Sequence, residues 1–255
     1  MDVSEMKHCL DTLAGKYNNR SFIESDPISI PHRFTDKHDV EISAFLTATI
    51  AWGRRDLILR SASRLMELMG NEPYKFTAEA SGNEIDRLGH FVHRTFNGSD
   101  AVTFIRCLRN LYSEYGSMET VIIEGLGNGA TMREAIIHLH KKFFDSPHEK
   151  RSERHLSDVG KGSAGKKINM FLRWMVRNDD RGVDFGIWKS IDPAQLFIPL
   201  DLHAGNTARS LGLLTRRQSD WKAVEELTAM LRRFDPADPV KYDFALFGAG
   251  VNGAL

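Results

Sequence analysis

Apolar residues in this chain recur at steps of three and four, the spacing of a single helix face. From Asp39 to Trp52 the pattern runs through Ile42, Phe45, Leu46, Thr49 and Ile50. Asp36 stands ahead of it as an N-cap, and Asp39 and Glu41 suit the positive end of a helix. Gly53 interrupts, and a second helix is predicted from Arg55 to Met69, stopped at Gly70-Asn71. Pro73 is placed to open a short third helix. Asn97-Gly98-Ser99 leads into Val102, Ile105, Leu108 and Tyr112. Thr131 and Glu134 fit a capping box, with Ile136, Leu139 and Phe143 on the face behind it. Ser219 is the expected cap of a helix carrying Ala223, Leu227, Met230, Leu231 and Phe234. Asp238-Pro239 is expected to start the last helix, through Phe244, Leu246 and Phe247. Strand-like alternation is nearly absent. Ile28–Ile30 and Leu196–Leu200 read as extended at most, because each runs into a proline. The polar, mixed-charge stretch from Ser146 to Gly165 reads as a surface connection. The expectation is an all-α protein of roughly ten or more helices.

Composition narrows the class. The 255 residues suffice for one large domain or a two-lobed one with a real core. Lys plus Arg and Asp plus Glu each number 34, so the formal net charge is zero. That argues against a non-specific basic coat for nucleic acid and leaves room for a local patch. Cys9 and Cys107 are the two cysteines, far apart and outside any CxxC pair. A four-cysteine zinc site or iron–sulfur cluster within the chain is excluded, and both thiols read as reduced residues of a cytoplasmic protein. Met1-Asp2-Val3-Ser4-Glu5 is charged and lacks a signal-peptide core. No apolar run approaches the ~18 residues of a spanning helix.

Two segments carry candidate chemistry. In Gly162-Ser163-Ala164-Gly165-Lys166-Lys167 a small-residue turn opens directly into an apolar helix containing Ile168, Phe171, Leu172, Trp174 and Met175. The first amides of such a helix have no internal partner and favour a phosphate. Lys161, Lys166 and Lys167 add charge there, and Arg173 and Arg177 follow on the same helix. GxxGKK is not the P-loop pattern, and no parallel strand precedes it. The same spacing describes an ordinary loop-to-helix start with solvated lysines. The second segment, Phe197-Ile198-Pro199-Leu200-Asp201-Leu202-His203, brings an aspartate to the start of another helix. A capping aspartate accepts hydrogen bonds from free amides, and most such caps have no other task. His203 either pairs with Asp201 or packs. The turn Trp52-Gly53-Arg54-Arg55 places an aromatic beside two arginines, which suits stacking and phosphate contact or simply the end of a core helix.

Together, Gly-x-x-Gly-Lys-Lys before an apolar helix and apolar-Asp-x-His before a helix ending Ala-Arg-x-Leu-Gly-Leu resemble the helix-hairpin-helix (HhH-GPD) DNA glycosylase superfamily. The run from Asp39 to Ile50 is similar to an early helix of those enzymes. The long spacer between lysine and aspartate is most similar to archaeal 8-oxoguanine DNA glycosylases. Ile30–Phe34, Asn169–Arg177 and Asp238–Phe247 resemble an uncharacterised bacterial family associated with that superfamily, over nearly the whole chain.

The resemblance implies an all-α, two-lobed fold with an interlobe cleft. Residues 36–184 would form a helical barrel lobe with the hairpin, and 1–35 with 185–255 the second lobe. It implies base-excision repair on double-stranded DNA, with removal of a damaged purine and an accompanying AP lyase step. Lys167 would be the nucleophile, with Lys166 as its rival, and Asp201 the acidic partner. Burial, the helix N-terminus and Lys166 would lower the Lys167 pKa. Gly162, Gly165, Lys166, Arg54 and Arg55 would meet DNA; Trp52, His203, Trp188 and Phe247 would stack on or surround the flipped base. No metal, cofactor or iron–sulfur cluster is implied, and a monomer is expected. Three features depart from the superfamily: the Leu-Pro-Gly-Val-Gly lead-in is missing, Asn206 stands where a basic residue is usual, and cluster cysteines are absent. Two other readings stand beside this one. One is a nucleic-acid-binding protein of the same fold without chemistry. The other is a metal-dependent phosphohydrolase using His32, His38-Asp39 and Asp56.

Overall fold

A computed structural model describes residues 2–252. The chain is helical, with one two-stranded antiparallel sheet among the described residues. It divides into two compact units: residues 1–24 with 159–255, and residues 25–158. The divisions fall at Glu24/Ser25 and Asp158/Val159, whereas the resemblance implied lobes meeting near 35 and 184. The lysine turn and Asp201 fall in the same unit.

The first unit holds α1 (Val3–Tyr17), most of α2 (Ser21–Ser25), α10 (Lys166–Val176), α11 (Leu202–Ser210), α12 (Trp221–Phe234) and α13 (Tyr242–Asn252). α13 packs on α1 and α11. The cap of α12 is Asp220, not Ser219: the Asp220 carboxylate accepts from the Ala223 amide at 3.1 Å, while the Ser219 hydroxyl accepts from Arg209. Asp238 caps a 3-10 turn, Pro239–Lys241, and the α-helix starts only at Tyr242. Leu196–Leu200 is non-helical and buried.

The second unit is built around α3 (Lys37–Thr49), followed by α4 (Arg55–Leu68), α5 (Pro73–Glu79), α6 (Gly82–Asp86), α7 (Gly98–Tyr115), α8 (Met118–Gly125) and α9 (Met132–Phe143). Helices start as predicted after Asp36, at Pro73, after the Asn97-Gly98-Ser99 turn and after Thr131, with Asp36 and the Thr131–Glu134 box capping as expected. α3 is buried all round, from Val40 to Thr49. Glu41 within it is 0% exposed, and accepts hydrogen bonds from the Met118 amide at 2.8 Å and the Tyr112 hydroxyl. Burial first, and then this carboxylate, raise the Tyr112 phenol well above its ordinary range. Ile28–Ile30 does not extend. Asp26 and Pro27 start a 3-10 turn there, because the Asp26 carboxylate takes the Ile28 amide and proline pre-sets the first φ. The stretch from Ser146 to Gly165 is more than a surface connection. It contains a 3-10 turn, Lys150–His155, with Ser152 and His155 buried, and the division between units lies within it.

Before α7 the chain makes a short hairpin, β1 (Val92–His93) with β2 (Phe96–Asn97). Gly98 opens α7 directly against the 3-10 turn Arg87–His90. A Cβ at Gly98 would sit 1.9 Å from the Gly89 carbonyl oxygen, which is backbone and cannot step aside. Gly98→Ala is expected to destabilise the protein by about 1–3 kcal/mol through this overpacking, read as a lower urea midpoint at unchanged slope. A midpoint equal to wild type would contradict the packing described.

Candidate functional site

The turn ahead of α10 depends on its glycines. Gly162 and Gly165 have φ of 90° and 60°, the left-handed region. At Gly165 a Cβ would also press to 2.7 Å from Val159 Cγ1. Gly165 is the N-cap of α10 and offers no side-chain acceptor to the helix's first amides. The Gly162 carbonyl is fixed by the Trp221 amide at 3.0 Å, which ties the turn to the start of α12. Lys166 and Lys167 occupy the first helical positions, both half-buried. Burial first, and the neighbouring Lys166 charge second, lower the Lys167 amine to about 8. Lys166 Nζ lies 3.3 Å from Met170 Sδ, one turn on.

Asp201 caps α11, accepting from the Ala204 amide at 2.8 Å. The next two residues, Leu202 (69% exposed) and His203, face solvent. A chain of rings leads inward from them. His203 lies edge-on to half-buried Phe247 at 6.2 Å, Phe247 to Phe22 at 6.4 Å, and Phe22 to Phe244 at 5.3 Å. The Arg173 guanidinium then covers the Phe244 face at 4.3 Å.

Asp243 joins the two segments electrostatically. Burial pushes its carboxyl up to about 7; Arg173 pulls it down, Asp201 pushes it up, Lys166 pulls it down and Asp184 pushes it up. The start of α10 and the cap of α11 therefore act on one buried carboxyl of α13. No sequence pattern singled out Asp243 or Phe22.

Arg173 and Arg177 do not serve a phosphate. Each is 3% exposed, inside an ion network. Arg173 pairs with Asp184 at 3.2 Å and with Asp243. Arg177 pairs with Asp179 at 2.7 Å, Asp238 at 2.8 Å and Asp184 at 3.1 Å. The signal was present: two charges one turn apart within an otherwise apolar helix stretch are buried together, and buried charges need partners. Trp188 is also displaced from its expected role. It is 1% exposed, edge-on to Phe171 at 5.4 Å, with its amide bonded to the Met175 carbonyl, and so belongs to the core.

Trp52, Arg54 and Arg55 stand in the second unit. Trp52 is half-buried, stacked on His155 at 5.9 Å and edge-on to His93 at 5.1 Å. Arg54 is exposed and forks onto Asp56 at 2.9 and 3.1 Å; Arg55 is half-buried. Of the alternative metal residues, His38 stacks on Tyr74 at 4.6 Å, the Asp39 carboxylate accepts from the Tyr74 amide, and Asp56 pairs with Arg54 and Arg60. Among the described residues no three His, Cys, Asp or Glu side chains gather as metal ligands. No helix among them is long and apolar enough to cross a membrane.

These features define a helical protein of two compact units, with a lysine pair at a glycine-led helix start and a capping aspartate in the same unit. The chain belongs to a family described as protein of unknown function (DUF2400), whose model matches residues 26–252. No curated protein and no solved structure matches it.

Proposed function

We propose that the chain is a DNA base-excision glycosylase with an associated AP lyase step, acting on a damaged purine such as 8-oxoguanine. The observation that carries this reading is the Lys167 amine, lowered to about 8 at the start of α10. An amine near neutrality is a nucleophile at physiological pH, where an ordinary lysine is almost wholly charged. Asp201 supports the reading through its place in the same unit and its charge, felt at Asp243 together with that of Lys166.

The Lys167 nitrogen lone pair attacks C1′ of the sugar. The bond from C1′ to the base breaks, and the base leaves with the electron pair and takes up a proton. Proton loss from nitrogen and opening of the sugar ring give a Schiff base, from which removal of a C2′ proton expels the 3′ phosphate. Asp201 stabilises positive charge on the sugar and accepts a proton. The N-terminal end of α10 and Lys166 hold a backbone phosphate. His203 and Phe247 offer the exposed end of an aromatic row against which a flipped base stacks.

The test is borohydride trapping on a duplex carrying 8-oxoguanine, with release of the free base measured in parallel. A covalent complex and released base support the reading. Salt-dependent duplex binding without base release from any lesion would instead identify a non-catalytic nucleic-acid-binding protein.

A further inference from the structure

The second unit carries two open grooves beside α4, and their charges are opposite. One, of about 480 Å³, is lined by Glu67, Glu72, Glu79 and Glu84 against Lys75 and Arg87. The other, of about 370 Å³, is lined by Arg60, Arg64 and His90 together with the apolar side chains of Leu57, Leu68 and Phe91, and no carboxylate lines it. The formal net charge of the whole chain is zero, so this separation is local and directional. The two meet at Leu68, which lines both, so a polyanion is drawn to the face of α4 that carries Arg60 and Arg64 and repelled at the helix's C-terminal end.

Arg60 and Arg64 lie one turn apart on α4 and point the same way. Their acidic partners, Asp56 at 3.0 Å and Glu67 at 3.6 Å, are exposed, so these pairs are weak, screened by salt and easily exchanged for a phosphate. The positive surface continues into the hairpin. Val92, 66% exposed, lines the groove as well. Arg94 follows in the hairpin turn, exposed, with φ of 55°, and its side chain lies over Gly53 so closely that a Cβ there would meet Nη1 at 2.8 Å. Arg154 donates to the Thr95 carbonyl at 3.0 Å on the other side of the same turn.

We propose that this groove and hairpin turn form a binding surface for the phosphodiester backbone of duplex DNA, with Arg60, Arg64 and Arg94 as its phosphate contacts. The choice of duplex DNA as the polyanion rests on the glycosylase reading; the basic surface itself does not. The acidic groove disfavours the backbone at the C-terminal end of α4. These contacts position the duplex and read no sequence.

The test is fluorescence anisotropy of a labelled 20-base-pair duplex with the full chain over a series of salt concentrations. Arg60→Ala/Arg64→Ala is expected to lower affinity about ten-fold or more near physiological salt, and to reduce the log–log salt slope by about 1.8, that is about 0.9 for each lost phosphate contact. Glu72→Gln/Glu79→Gln is expected to bind as tightly as wild type or more tightly. Because all four side chains are on the surface, thermal midpoints check that each variant is folded, and the slope separates lost contacts from lost fold. Unchanged affinity and slope in the arginine variant, against a wild type that binds, overturns the proposal. Competition by polyglutamate at the same charge concentration as DNA also overturns it, since the surface then takes an acidic protein. Base release with groove-independent binding would remove the groove and leave the glycosylase; groove-dependent binding without base release would do the reverse.

Discussion

Arg177→Met is expected to destabilise the protein by about 3–5 kcal/mol at pH 7, the usual cost of removing one partner from a buried ion pair. The guanidinium holds three carboxylates, Asp179, Asp184 and Asp238, and methionine fills a comparable volume without charge. Asp238 is already held above its ordinary value by burial, against the pull of Arg177. Asp179 lies below its ordinary value; burial opposes this, and the Arg177 charge does most to bring it about. A carboxyl lowered by folding contributes stability above its unfolded pKa and loses it as pH falls through the folded value. Removing Arg177 therefore costs most at neutral pH. Without it Asp179 loses what holds it down and Asp238 rises further, so acid protonates them and part of the deficit disappears. Urea unfolding at pH 7 and near pH 4.5 measures this. A loss below about 1 kcal/mol, or one equal at both pH values, contradicts the network as described. Arg177→Lys keeps one charge without the three-way fork and should fall between.

Lys167→Ala is expected to abolish the borohydride-trapped complex, a fall of at least about 100-fold, the lower end of what a catalytic group supplies. In wild type the trapping rate should climb with pH through about 8 and then level, following the neutral amine. The sign for stability is also fixed. Folding lowers this amine from 10.5, so its burial costs stability below pH 8, and that cost is relieved as pH rises toward the unfolded value. Lys166 is the second cause of the lowered value, so Lys166→Ala should move the midpoint of the trapping profile upward in pH, read at saturating duplex because the variant also loses a phosphate contact. Complete loss of trapping in Lys166→Ala, with Lys167→Ala still trapped, would transfer the nucleophile to Lys166.

Much of the fold was legible because helix starts are local chemistry. Asp36, Pro73, Asn97 and the Thr131–Glu134 pair each declare a helix within four residues, and the structure places one at each. α1 was not read because its apolar residues, Met6, Leu10 and Ala14, are sparse, and its partner α13 lies at the other end of the sequence. The hairpin from Val92 to Asn97 has strands too short to show alternation. At the candidate site, the glycine turn, the lysine pair and the aspartate cap were visible as motifs. What makes Asp243 a buried acid, and turns Arg173 and Arg177 from candidate phosphate ligands into core ion pairs, is burial among segments remote in sequence, which spacing does not encode. Trp188 was misplaced for the same reason: an indole suits a base pocket and a core equally well.

One unit of this chain is interrupted by the other. α1 and α13 pack together, yet the whole of residues 25–158 is synthesised between them. On the ribosome the intervening unit is continuous and complete long before α13 emerges, so it is set to fold first. Until the final helix arrives, α1 must wait without the surface it covers. The slow, long-range closure of the molecule is thus the one that assembles the unit bearing both lysines and Asp201.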